Sequence, residues 1–137
     1  MIRIATRISA DWLDRPEDLK FIKQIGVDYV DIVLDMVPGY NKAGGRATKD
    51  GLAEVIEKLD DAGLKIERAN TSGPDYVNAF LGQAGGEQEI ENLQVNAELC
   101  GEAGLPLFGI QCFQTTTLFP FRDELHSWVT GRGGYEH

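Results

Sequence analysis

Apolar residues along this 137-residue chain follow two alternating rhythms, and the rhythm changes at glycine. In residues 52–59 the apolar positions Leu52, Val55, Ile56 and Leu59 lie three and four apart, which is the spacing of one helix face. Residues 64–69, just past Gly63, are short and partly alternating, as in a strand. Gly63 can take the positive φ that closes a helix before the chain turns into that strand. The same order recurs where residues 21–26 lead into 27–32, and where residues 99–104 lead into 105–110. Junctions repeated at roughly 40-residue intervals predict a chain of βα units.

Taken in order, Ile2, Ile4 and Ala5 open a first strand that ends in a polar run through Arg7. Asp14 is placed to cap a helix, with Pro16 in its first turn and Glu17 three residues after the cap. Leu19, Ile22 and Ile25 supply that helix's expected buried stripe. The second strand is expected over about residues 27–37. Its nearly continuous apolar run fits a strand covered on both faces, although Asp28, Asp31 and Asp35 interrupt it. A loop follows at residues 38–46, and Thr48 can cap the next helix. A second long connection, residues 70–86, leads to a third helix with Ile90, Leu93, Ala97 and Cys100 on one face. The fourth strand is expected at about residues 107–113, while the tail, residues 114–137, offers no strongly amphipathic helix.

Four strands joined by three helical crossovers imply parallel pairing and right-handed connections. Two α/β architectures fit: a small open parallel sheet, or the N-terminal half of a (β/α)₈ barrel. Such barrels need about 250 residues, so one partial barrel domain over residues 1–137 is the expectation. Its first and last strands would then be open edges, through which the chain could form a homo-oligomer or complete a partner.

Composition narrows the partners. Against 13 Lys and Arg stand 22 Asp and Glu, a formal charge of −9 that disfavours nucleic acid and anionic membrane. No apolar run approaches the ~20 residues of a membrane span, and the N-terminus reads as a strand and not a signal peptide. A cytoplasmic protein with reduced Cys100 and Cys112 is the simplest reading, and their spacing carries no zinc motif.

Candidate chemistry gathers at strand ends, since parallel α/β folds bind ligands at the strands' C-terminal edge. Glu67 and Asn70 in the third strand could offer a carboxylate and an amide to a polar substrate, or form a strand-end charge pair with Arg68. Arg7 could clamp a substrate carboxylate through its planar fork, or neutralise Glu67 or an aspartate. Asp31 and Asp35, four apart, would share a strand face and could hold a divalent metal or exchange protons. Pairing with an arginine on the neighbouring strand is the alternative. Gln111 and Gln114 are candidate hydroxyl-binding amides. Cys100 and Cys112 read as core residues, His126 and His137 make no histidine-rich metal site, and residues 131–134 lack the Lys-Ser/Thr of a phosphate loop.

With these residues laid out, the chain resembles the N-terminal half of the mannonate dehydratases, within the larger set of xylose-isomerase-like barrels. The resemblance lies in IATRIS, FIKQIGVDYVDIVLD, KLDDAGLKIERAN, GGEQEIENL and AELCGEAGLPLFGIQCF, with GRGGY near the end. It implies a lyase that dehydrates D-mannonate to 2-keto-3-deoxy-D-gluconate in hexuronate breakdown, using Mn²⁺ or Fe²⁺. The metal ligands would come from later strands, beyond His137, so the isolated chain is expected to be inactive. Glu67 matches the family's substrate-facing glutamate of the third strand and is the expected catalytic residue. Arg7, Asp35, Asn70 and Gln111 are the expected substrate-binding residues. Residues 70–75 stand where many members carry Pro-x-His-Glu, and Leu34-Asp35-Met36 where they often carry histidine. A sugar isomerase or epimerase on the same scaffold, or a non-catalytic half-barrel, is the alternative.

Overall fold

The computed structural model describes residues 3–40 and 44–110. The elements run β1 (Ala5–Arg7), α1 (Pro16–Gln24), β2 (Tyr29–Val33), α2 (Lys49–Asp61), β3 (Lys65–Asn70), α3 (Val77–Leu81), α4 (Gly86–Glu102) and β4 (Leu107–Gly109). Short 3-10 turns occupy Ala10–Asp14, Leu34–Met36 and Gly73–Tyr76. The four strands form one all-parallel sheet in sequential order, β1-β2-β3-β4. Among the described residues, no helix is long and apolar enough to cross a membrane.

Each helix that feeds a strand ends in the same way. Gly26, Gly63 and Gly104 have φ of 89°, 75° and 73°, a region that an L side chain enters only at a cost. At α2, the Gly63 N–H donates to the Asp60 carbonyl and the Leu64 N–H reaches back to the Leu59 carbonyl. At α1 the matching pairs are Gly26 to Lys23 and Val27 to Ile22, and at α4 they are Gly104 to Gly101 and Leu105 to Cys100. These paired bonds are the Schellman arrangement, which satisfies carbonyls a helix end would otherwise leave orphaned. The residue after each glycine is apolar, as the motif favours. All three helices are thereby turned into their strands with one geometry.

Core formation follows from register. Val30 aligns with Ile66, and Ile32 with Ala69. These four strand residues are buried in one cluster with Leu19 and Ile22 of α1, Leu52, Val55 and Leu59 of α2, and Cys100 of α4. Sequential parallel strands with crossovers of one hand place the helices on one face of the sheet. Arg7, Asp31 and Arg68 are in register with one another and alternate with the core positions, so they belong to the opposite face.

Several local expectations are corrected. The connection between β3 and α4 holds an additional short helix, α3, so the crossovers contain four helices and not three. Asp14 does not cap α1: the N-cap is Arg15, without a side-chain cap bond, and Asp14 pairs with Lys58. Thr48 does cap α2, accepting from the Gly51 N–H at 3.1 Å. Ile25 is exposed because a spacing of three and three drifts about 120° around a helix. Strand β2 stops at Val33 and turns at Leu34–Met36, which takes Asp35 off the strand and away from the face of Asp31.

Helix α4 departs furthest from its expected apolar face. Its buried positions are Gly86, Asn92, Asn96 and Cys100. Ile90, about 200° around the helix from Asn92, is exposed. The buried asparagines meet the backbone of the β2–α2 loop as well as side chains. Asn92 Nδ2 donates to the Gly44 carbonyl at 2.9 Å, Asn96 Nδ2 donates to the Gly45 carbonyl at 3.0 Å, and Asn96 Oδ1 accepts from the Ala47 N–H at 2.8 Å. A loop packed against a helix must have its polar groups satisfied, and an amide both donates and accepts.

Two glycines separate conformation from space. A methyl group at Gly63 would find only the Lys23 side chain, at 3.5 Å, but would sit at a positive φ; at Gly101, within α4, it would meet nothing. Gly63→Ala is expected to destabilise the fold by about 1–2 kcal/mol, and Gly101→Ala to stabilise it by roughly 0.5–1 kcal/mol. Urea denaturation of both variants checks this; a neutral Gly63→Ala would remove the junction argument.

Candidate functional site

The helix-free face of the sheet carries Arg3, Arg7, Arg68, Asp31 and Glu67, with Lys65 at the start of β3, and four of these charges are spent in internal pairs. The register of β2 with β3 slips between Val30 and Asp31, so Glu67 is an extra residue that opposes none. Arg3 reaches this bulge from ahead of β1: its guanidinium lies 5.0 Å from the centroid of the Tyr29 ring on β2, and Nη1 donates to Glu67 Oε2 at 2.9 Å. One side chain thus spans three strands. Beside it, Arg68 donates to Asp31 Oδ2 through Nε at 3.1 Å and also through Nη2. Arg7 aligns with Asp31, whose carboxylate is already taken by Arg68. Arg7 itself has no side-chain partner among the described residues.

Arg7 opens onto a cleft of about 920 Å³ at the C-terminal edge of the sheet. Ser9 and Trp12 line it from the segment after β1, Asp35 from the turn after β2, and Ser72 and Asp75 from the segment after β3. Ser72 Oγ donates to Asp35 Oδ2 at 3.3 Å, and Ser9 Oγ to Asp11 at 2.5 Å. Asp75 Oδ2 accepts from the Tyr40 hydroxyl at 2.5 Å. Burial pushes the Asp75 carboxyl above the usual carboxylate range, the charges of Asp35 and Glu89 add to this, and the Tyr40 bond opposes it. The Tyr40 phenol is itself pushed up, by burial first and then by its bond to Asp75.

Tyr40 is anchored deep in the fold, 1% exposed, at the start of the loop that Asn92 and Asn96 hold. Asn96 also donates to the Tyr76 hydroxyl, at 3.4 Å. The wall that carries Asp75 is therefore built by a polar network linking the β2–α2 loop, the turn after β3 and α4. The segment expected to be a long loop at residues 38–46 is pinned at Tyr40 and at Gly44, Gly45 and Ala47.

The expected site residues divide. Arg7 and Asp35 line the same cleft. Glu67 lies on the same face of the sheet but toward the N-terminal half of β3, bound to Arg3, and does not line the cleft. Asn70 is buried in the sheet, where its Nδ2 donates to the Ile32 carbonyl at 3.2 Å, and Gly109 leaves it room: a methyl group there would collide with Asn70 Oδ1. Gln111, Gln114 and Cys112 lie outside the described residues. Cys100 is buried, and burial raises its thiol to about 11, which suits packing and not nucleophilic chemistry. Sequence reasoning missed Asp75, Tyr40, Ser72 and Trp12. The one local signal was the density of turn formers in residues 70–75, which marks a connection without saying which side chain faces inward.

Among the described residues, no group of three or more His, Cys, Asp and Glu converges as a metal site would require. No protein-family model matches the chain, and no curated protein or solved structure shows significant similarity to it.

Asp75 makes stability pH-dependent with a definite sign. Its folded value lies above its unfolded one, so its contribution is fully present below the ordinary carboxylate value of about 4 and is lost as pH rises through the raised folded value. Asp75→Asn abolishes that loss. Denaturant midpoints of the two proteins, measured from about pH 3.5 to 7, are expected to shift in favour of the variant as pH rises. A difference constant with pH would show that the carboxyl is unperturbed.

Proposed function

We propose that this chain forms one wall of a (β/α)₈ barrel that binds a sugar acid at the C-terminal edge of its strands. By resemblance, the reaction is the dehydration of D-mannonate to the 2-keto-3-deoxy acid. The observation that carries this reading is the Arg7 guanidinium at the end of β1, which has no side-chain partner among the described residues and faces an open cleft while Arg3 and Arg68 are engaged by carboxylates. Support for the barrel comes from the sequential parallel strand order, helices on one face, and a polar opposite face. The open sides of β1 and β4 among the described residues are where further strands, or a second copy, would dock.

Within the cleft, each group has a physical task. Arg7 can take the ligand carboxylate through two parallel N–H donors. Trp12 offers an apolar surface to the C–H face of a polyol, and Ser9, Ser72 and Asp35 offer hydroxyl partners at its edge. Glu67, held by Arg3, shapes β3 in this arrangement. The divalent metal that the resemblance implies would polarise the substrate oxygens. The described residues do not form a site for it: Asp35 and Asp75 carry Ser72 and Tyr40, and no third ligand joins them.

Loss of a charged hydrogen bond to the ligand is worth about 1.5–3 kcal/mol, or roughly tenfold to a hundredfold in affinity. Arg7→Ala is expected to weaken D-mannonate binding by that factor, with Arg7→Lys between the two, in a chemical-shift titration of the chain. Assay of the extended gene product with D-mannonate and Mn²⁺ for a 2-keto acid tests the reaction, with aldoses as the contrast. Unchanged binding by Arg7→Ala would defeat the clamp, and turnover of aldoses alone would favour an isomerase.

A further inference from the structure

We infer that Asp75 is the proton-carrying group of the cleft, so that an anionic polyol binds together with one proton that Asp75 holds and donates to a ligand oxygen. This rests on the reading of Arg7 as the carboxylate clamp and goes beyond it, because Asp75 has no place in the clamp.

The argument begins with the charges around Asp75. Arg7 and Asp35 line the same cleft, Glu89 acts on Asp75 from α4, and Tyr40 and Tyr76 are its phenolic neighbours. Arg46, in the loop that carries Gly45 past Asp75, is spent on Glu91 and Asn92. Arg7 is the one cation left for the cleft among these groups. A ligand carboxylate that settles on Arg7 brings a third negative charge beside Asp35 and Asp75 in a partly enclosed space. Like charges held together disfavour ionisation of one of them, and the more desolvated member takes the proton. That member is Asp75, which already stands above the usual carboxylate range.

Geometry leaves room for the proton. Tyr40, buried and fixed, donates to Oδ2, while Oδ1 has no hydrogen-bond partner among the described residues. A carboxylic acid can therefore accept from Tyr40 through one oxygen and donate to a ligand hydroxyl or carboxylate through the other. Asp35 is the weaker candidate, because it is exposed on its 3-10 turn and its partner is a serine. Tyr40 is a positioning residue here. Its hydrogen bond favours the ionised form of Asp75, so it tunes the pH at which the proton is lost.

The test is a chemical-shift titration of the chain with D-mannonate, and with D-gluconate as a second probe, at several values from about pH 4.5 to 8, where the ligand carboxylate stays ionised. Once pH exceeds the Asp75 value, the dissociation constant is expected to rise about tenfold per unit, the slope of one linked proton. Asp75→Asn is expected to bind with a constant that does not change with pH. Tyr40→Phe should keep the slope and move its onset to higher pH, a shift that mere loosening of the wall would not produce. If both probes bind through Arg7 with a constant that is flat with pH, this inference falls and the clamp stands. A slope retained in Asp75→Asn would place the proton elsewhere and also overturn it. No binding of either probe at any pH would remove the clamp and the proton together.

Discussion

A helix that ends on a left-handed glycine and turns at once into a parallel strand is the constraint on which this molecule depends. Gly26, Gly63 and Gly104 each close a helix with the same two backbone bonds, and each is followed by an apolar residue whose N–H bonds back to the last turn. Because the geometry repeats, every strand leaves its helix in the same direction. The sheet accordingly grows in sequential order, with the helices on one face. The C-terminal strand ends and the segments that follow them then collect along one edge, which is why residues from three separate connections line one cleft.

Charge on the opposite face is organised by a single irregularity. Without the bulge at Glu67, strict alternation would put Glu67 and Arg68 on opposite faces of β3. With it, Arg68 meets Asp31 while Glu67 meets Arg3 across the Tyr29 ring. Two ion pairs take up four of these charged groups, and the third arginine, Arg7, stands at the cleft. A group left unpaired beside an open cavity is available to a ligand in a way that its paired neighbours are not. That distinction could not be drawn from residue type, since all three are arginines on one face.

The part of the cleft wall that carries Asp75 is braced from behind by polar contacts. Asn92 and Asn96 of α4 satisfy the backbone of the β2–α2 loop, that loop begins at Tyr40, and Tyr40 holds Asp75. The bracing explains why α4 gives up apolar residues on its buried face: the surface it meets is backbone, and unmet backbone groups would cost more than a lost aliphatic contact gains. It also makes Asp75 an acid in a fixed position and not a surface carboxylate free to turn away.

Periodicity and the junction glycines were enough to establish parallel βα units, three of the helices, the Thr48 cap and the apolar cores of α1 and α2, because these depend on spacing along the chain. The cleft's Arg7 and Asp35 were legible too, as polar residues expected at strand ends. Contacts between distant segments were not: the bulge that redirects Glu67, the amide of Asn70 bound to Ile32, and the Tyr40–Asp75 bond join residues 35 to 64 positions apart, whereas an arginine partner on a neighbouring strand was an open alternative for Asp31 that Arg68 fills. A local pattern reports which face a residue occupies on its own element. Only the tertiary structure decides which neighbour that face meets, and hence whether a charge is neutralised, buried with a proton, or left open to a ligand.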